Sequence, residues 1–140
     1  TFKIITTAIA IEAGAINFDS TWANETSFTP EQTTDPIENY NGRVCGGDLR
    51  EVFRRSCNTP FARTAILLGA ETMVTGANLW GIGDPIPFDL GGGAVSNFGE
   101  VSDFNNAIPK LAIRGFGQDD DSMVPLQMAM ISATVAIAHS

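Results

Sequence analysis

The stretch Arg55-Ser56-Cys57-Asn58-Thr59-Pro60-Phe61-Ala62 constrains the fold of this chain more than any other, because two helix patterns meet across it. Upstream, Asp48 is placed to cap a helix whose third residue is Glu51, with Leu49, Val52 and Phe53 as its apolar face. Downstream, Asn58 or Thr59 can cap a second helix, with Pro60 in its first turn, Phe61, Ala65, Ile66 and Leu68 on its buried side, and Gly69 at its end. The chain must therefore turn sharply between them. Ser56 and Asn58 stand two apart at this bend, so a hydroxyl and an amide can point to the same side, as a polar cleft requires. The plainer expectation for the pair is that both are helix caps.

The other elements can be taken in chain order. A helix is predicted from about Phe2 to Ala13, closed by Gly14. Ile4, Ile5, Ala8, Ile9 and Ile11 leave it almost no polar face, which predicts burial on most sides. Lys3 lies at its start, where the helix dipole and burial both disfavour a positive charge, so its amine tends toward the neutral, proton-accepting form. A lysine snorkelling at a frayed chain end is the alternative. From Ala15 to Gly47 the helical period is lost; Thr21 to Phe28 alternates weakly, as a short strand or hairpin does, and Asn41-Gly42 is a turn signal. A further helix is expected from about Ala70 to Trp80, with Met73, Val74, Ala77 and Trp80 on one face and Gly81-Ile82-Gly83 ending it. Pro85, Pro87 and Gly91-Gly92-Gly93 predict a mobile loop. It is not a phosphate loop, since no strand precedes the glycines and no Lys-Ser or Lys-Thr follows. Ser102 or Asp103 is expected to cap a short helical turn to about Ile108, broken by Pro109. The last helix, about Val124 to Ala138, has apolar residues all round and should sit centrally, against the Lys3 helix. Its Met128 and Met130 are core filling.

Composition narrows the function classes. At 140 residues and 44% hydrophobic content the chain is one domain or part of one, with enough apolar material for a core. A formal net charge of -8 speaks against nucleic-acid and anionic-lipid partners, which would repel it. Asp119-Asp120-Asp121 is a solvated approach to a helix N-terminus; it lacks the alternation of a calcium loop. Cys45 and Cys57 have no histidine near them, and the lone His139 is at the far end, so no zinc site is expected. No signal peptide is expected within these residues, and they hold no apolar run of the roughly 20 residues that span a bilayer.

Two short motifs and several landmarks carry a family resemblance. Thr1-Phe2-Lys3, followed by Ile4-Ile5-Thr6-Thr7-Ala8-Ile9, resembles the tail of Ser-Xaa-Xaa-Lys, the first motif of penicillin-recognising serine acyl-transferases. Ser56-Cys57-Asn58 resembles their second motif, Ser-Xaa-Asn, at the right distance along the chain. Glu38-Asn39-Tyr40-Asn41-Gly42, Leu49-Arg50-Glu51-Val52-Phe53, Ser56 to Ala62 and Pro125-Leu126-Gln127-Met128-Ala129 are similar to landmarks of class B penicillin-binding proteins, the actinobacterial type in particular. Leu111 to Gln118 resembles the segment that precedes the family's last helix. Gly83 to Asn106 matches loosely. Val124 stands where the family usually has threonine, and His139-Ser140 where it has an Asn-Gly-Gly ending.

The resemblance implies a mainly α chain: the helical subdomain of the penicillin-binding protein and serine β-lactamase α/β transpeptidase fold, with the central sheet outside it. Residues 1–140 would be that subdomain, truncated at both ends, with the nucleophilic serine just before Thr1 and the Lys-Thr-Gly motif beyond Ser140. The implied activity is that of a serine D,D-transpeptidase, which cross-links peptidoglycan stem peptides through an acyl-enzyme and is acylated by β-lactams. Lys3 would be the base, Ser56 a proton relay, and Asn58 both catalytic and a holder of the substrate amide. No metal or organic cofactor is implied. The expected partners are stem peptides, β-lactams and the remaining part of the transpeptidase domain, with no nucleic acid. The parent protein would be membrane-anchored and work at the extracytoplasmic face, where thiols can oxidise. That compartment would permit a Cys45–Cys57 disulfide; two buried free thiols are the alternative. Alone, the chain is expected to be inactive. Two other functions stay open: a class D β-lactamase or β-lactam sensor domain, against which Asn58 counts because those proteins usually carry valine there, and a non-catalytic helical binding module. If the motif assignment holds, the Lys3 amine must lie within hydrogen-bond reach of Ser56 or Asn58.

Overall fold

The computed structural model describes residues 2–86, 95–118 and 123–138. The expectations for Thr1, Pro87, Gly91-Gly92-Gly93, Asp119-Asp120-Asp121, His139 and Ser140 fall outside the described residues. The described chain is mainly helical, with two small antiparallel sheets. Helix α1 is Phe2–Glu12, α2 Leu49–Arg54, α3 Thr59–Leu68, α4 Ala70–Leu79, α5 Ile108–Arg114 and α6 Pro125–Ala138. Strands β1 (Thr21–Glu25) and β4 (Cys45–Asp48) pair, and so do β2 (Ser27–Phe28) and β3 (Ile37–Glu38).

Helix α3 is the centre of the molecule. Three of its residues enter three different apolar clusters: Ala65 joins α1, α4 and Leu111; Phe61 joins Ala10, Ile16, Leu49, Val52 and both cysteines; Ala62 joins Ile37 and Ala112. Small side chains make this possible, because Ala62 and Ala65 are fully buried and let neighbouring backbones come close. The same device works between α1 and α4. A Cβ on Gly76 would stand 2.5 Å from Ile9 Cγ1, so only glycine lets α4 lie this near α1. Thr6, buried in the middle of α1, satisfies its hydroxyl by donating to Gly115 O at 2.6 Å.

Several sequence-based expectations need correction. The last helix is not central: α6 buries only Gln127 and Ile131, while Leu126, Met128, Met130 and Ile137 are exposed. An all-round apolar helix demands cover, and the described residues cover one side only. Helix α1 is likewise buried on one face, through Phe2, Ile5, Thr6, Ile9 and Ala10, with Ile11 exposed. Thr21 to Phe28 contributes two strands that do not form a hairpin with each other; their partners β3 and β4 lie in Pro- and Gly-rich sequence with no alternation to announce them. Pro109 does not break a helix but occupies the first turn of α5, where its missing N–H costs nothing. The short turn before it, Val101–Phe104, is capped from Glu100 through a reciprocal bond with Asp103.

Candidate functional site

The polar corner is built by the way α2 ends. Cys57 N donates to Val52 O at 3.0 Å and Ser56 N to Phe53 O at 3.1 Å, the paired bonds of a Schellman termination. Such an ending needs one residue in the left-handed region, normally glycine. Here Ser56 takes it, at φ 54°. A serine in that conformation costs roughly 1–2 kcal/mol relative to the ordinary helical region. Its side chain is thereby lifted off the helix and stays exposed, while Cys57 beside it is buried against Val52 and Phe61.

Lys3 reaches this corner from the first turn of α1. Its Nζ donates to Ser56 Oγ at 2.8 Å, to Ser56 O at 2.9 Å and to Asn58 Oδ1 at 3.0 Å. The Phe61 ring centroid lies 5.6 Å from the same nitrogen. Three acceptors use all three ammonium protons, yet none carries a formal charge. Burial therefore dominates, and the Lys3 pKa is lowered from its ordinary 10.5. Such a lysine gives up its proton more readily than an exposed one.

Asn58 stands at the N-cap of α3, but its side chain makes no cap bond. Its Nδ2 donates to Glu38 O at 3.0 Å, which turns Oδ1 toward Lys3. The side-chain cap that the sequence suggested for this residue is not made, and the two leading N–H groups of α3 are satisfied from elsewhere. Asn39 Oδ1 accepts from Asn58 N at 2.8 Å and from Thr59 N at 3.1 Å. In the sequence Asn39 stands only within the Glu38 to Gly42 landmark, with no role attached to it. Its signal was weak, since a cap normally lies next to the helix it serves.

A disulfide joins Cys45 to Cys57, with Cα atoms 5.7 Å apart, and ties β4 to the corner. An Arg63–Glu25 pair, bonded at 2.8 and 2.9 Å, ties α3 to β1 on another side, and the Arg63 guanidinium lies 4.0 Å from the centroid of the Phe28 ring. Lys3, Ser56 and Asn58 open onto a cleft of about 400 Å³ whose walls include Tyr40, Arg43, Arg55 and Phe116. The cleft is locally cationic in an acidic chain. Among the described residues, no group of three or more His, Cys, Asp or Glu could hold a metal ion, and no helix is long and apolar enough to cross a membrane.

Residues 1–138 match the family model described as penicillin binding protein transpeptidase domain. The chain is 36% identical over 143 residues to a peptidoglycan D,D-transpeptidase, PbpA, of Mycobacterium tuberculosis, covering 97% of this chain and 28% of that protein. It is 26% identical to penicillin-binding protein 3 of Bacillus subtilis, covering 92% of this chain and 19% of that protein. Among solved structures it is similar to penicillin-binding protein A of M. tuberculosis in a penicillin G acyl-enzyme complex, with a TM-score of 0.86, 32% identity, and coverage of 96% of this chain and 31% of that one. The chain thus spans less than a third of the length of these relatives.

Proposed function

The chain belongs to the penicillin-binding protein transpeptidase domain family, and from that premise we propose that it is the helical part of a class B peptidoglycan D,D-transpeptidase. In this reading the nucleophilic serine precedes Thr1 and lies one helical turn before Lys3. The neutral Lys3 amine takes the serine Oγ proton as that oxygen attacks the D-alanyl-D-alanine carbonyl. Ser56, bonded to the same amine, passes a proton to the departing D-alanine nitrogen as the C–N bond breaks, which leaves an acyl-enzyme. The amine of a neighbouring stem peptide then attacks the acyl carbonyl, returns the serine proton and forms the cross-link. Asn58 orients Lys3 and holds the donor peptide's amide.

The observation that carries this reading is the set of three hydrogen bonds that Lys3 Nζ makes to Ser56 and Asn58. These residues are 53 and 55 positions away from it, and local capping would not bring them together. β-Lactams, which the M. tuberculosis relative carries as acyl-enzymes, would acylate the same serine here. Stem peptides and the rest of the transpeptidase domain are the proposed partners. The proposed location is the extracytoplasmic face of the membrane, where a Cys45–Cys57 disulfide can persist.

Intact-mass measurement after incubation with a labelled penicillin tests this. The expected result is no covalent adduct on residues 1–140 alone and one adduct per molecule on a chain extended at both ends to the length of the relatives' domain. A stoichiometric adduct on residues 1–140, or none on the extended chain, would sink the assignment.

A further inference from the structure

We propose that Asn39 is a positioning residue for the Lys3–Ser56–Asn58 cluster: it anchors the backbone N–H groups of Asn58 and Thr59 at the start of α3, and so fixes the direction in which the Asn58 amide leaves toward Lys3. Its activity test rests on the functional reading above; its geometric test does not.

The argument starts from the unpaired N–H groups that open any helix. Asn58 occupies the N-cap and has a side chain of the preferred type. If it capped its own helix, its carbonyl would turn back to the Phe61 N–H, since Pro60 has none, and leave Lys3. Asn39 fixes the backbone from which that side chain leaves, because its Oδ1 accepts from the Asn58 and Thr59 N–H groups. Asn39 is only 3% exposed, and its other atoms are committed too. Nδ2 donates to Glu25 O at 2.9 Å, and the backbone N–H donates to Thr26 O at 3.0 Å. The orientation of the carboxamide is thus set by what surrounds it: carbonyls on the strand side, N–H groups on the helix side.

The neighbouring residue completes the device. Glu38 O accepts from Asn58 Nδ2, so Glu38 and Asn39 together hold both the backbone and the side chain of Asn58. Both follow from β3, which is pinned by β2. A two-stranded sheet without a catalytic motif therefore sets where the motif asparagine points. An error of about 1 Å in such a group can cost on the order of a hundredfold in rate.

Substitution of Asn39 in the extended enzyme, read by penicillin acylation, separates positioning from mere support. Asn39→Ala removes the acceptor and both donors. Asn39→Asp keeps the acceptor at a helix N-terminus, where its charge is favoured, but sets a carboxylate oxygen against the Glu25 and Thr26 carbonyls. Asn39→Ala is expected to lower the acylation rate constant, normalised to acylatable molecules, by about tenfold or more. Asn39→Asp is expected to melt at a lower temperature than wild type yet to acylate within about threefold of it. If Asn39→Ala does not fold, Asn39→Ser, whose side chain is too short to bridge sheet and helix, carries the same expectation. In residues 1–140, amide NMR should show the Asn58 Nδ2 protons slow to exchange in wild type and Asn39→Asp, and fast in Asn39→Ala. Acylation at the wild-type rate in Asn39→Ala, or unchanged Asn58 amide protection, would overturn the proposal. If the extended wild-type enzyme takes up no penicillin, the functional reading fails and the Asn58 exchange alone decides the role of Asn39.

Discussion

Ser56 shows most directly how a single residue trades stability for position. It takes the left-handed site of a Schellman ending, where glycine would be free of the steric cost. Ser56→Gly should therefore be more stable than Ser56→Ala by about 1 kcal/mol in urea unfolding, although both lose the hydroxyl that meets Lys3. Equal stabilities would mean that the left-handed conformation carries no cost here. Lys3 allows a second prediction, in pH. Its folded pKa is lowered by burial from 10.5, so above the folded value the unfolded chain holds the proton more strongly than the native one. Stability contributed by this group must then rise with pH, from the folded pKa up to 10.5, and be flat below that window. The unfolding free energy of wild type minus that of Lys3→Met should increase across the alkaline range. A difference that falls with pH would show the native state stabilising the charged amine. The family resemblance of the two motifs implied that Lys3 meets Ser56 and Asn58, but Asn39 is visible only in three dimensions, because its partners are on other elements.

At the scale of elements, the corner between α2 and α3 is held by tethers that come from distant parts of the chain. The disulfide brings β4, Asn39 and Glu38 bring β3, and Lys3 brings α1. The Cys45–Cys57 bond closes a loop of 12 positions, for which chain entropy suggests about 2 to 3 kcal/mol of stabilisation. Reduction should lower the unfolding free energy measured in urea by that amount. It should also speed amide exchange at Ser56 to Asn58 more than in α4, which the bond does not touch. Uniform acceleration would mean that the disulfide stabilises the whole chain without restraining the corner. Helices with a clear cap and stop, α2, α3 and α4, were legible to within a residue or so, because Asp48, Pro60, Gly69 and Gly81 act locally. Helix α5 was missed because Pro109 is compatible with both an ending and a beginning, and packing of Leu111 and Ala112 decides between them.

For the whole molecule, the contrast between α3 and α6 matters most. Helix α3 feeds three apolar clusters, whereas α6 is held through Ile131 and a Gln127 bond to Trp80 O at 3.1 Å. Native-state hydrogen exchange should accordingly find the slowest amides in α3 and much faster ones in α6. Comparable protection in the two helices would imply that α6 is covered in solution, as by self-association through its exposed Leu126, Met128 and Met130. By itself the sequence determined the helical class, the caps and stops of the regular helices, the acidic balance and the spacing of Lys3 from Ser56-Cys57-Asn58, since each is a matter of local preference or of order along the chain. Tertiary structure alone decided that α3 is the central helix, that β1 and β2 choose separate partners, and that Asn39 holds the first N–H groups of α3 while the Asn58 side chain meets Lys3. These outcomes depend on which surfaces remain available once every element competes for burial and for hydrogen bonds, and that competition has no period a sequence can display.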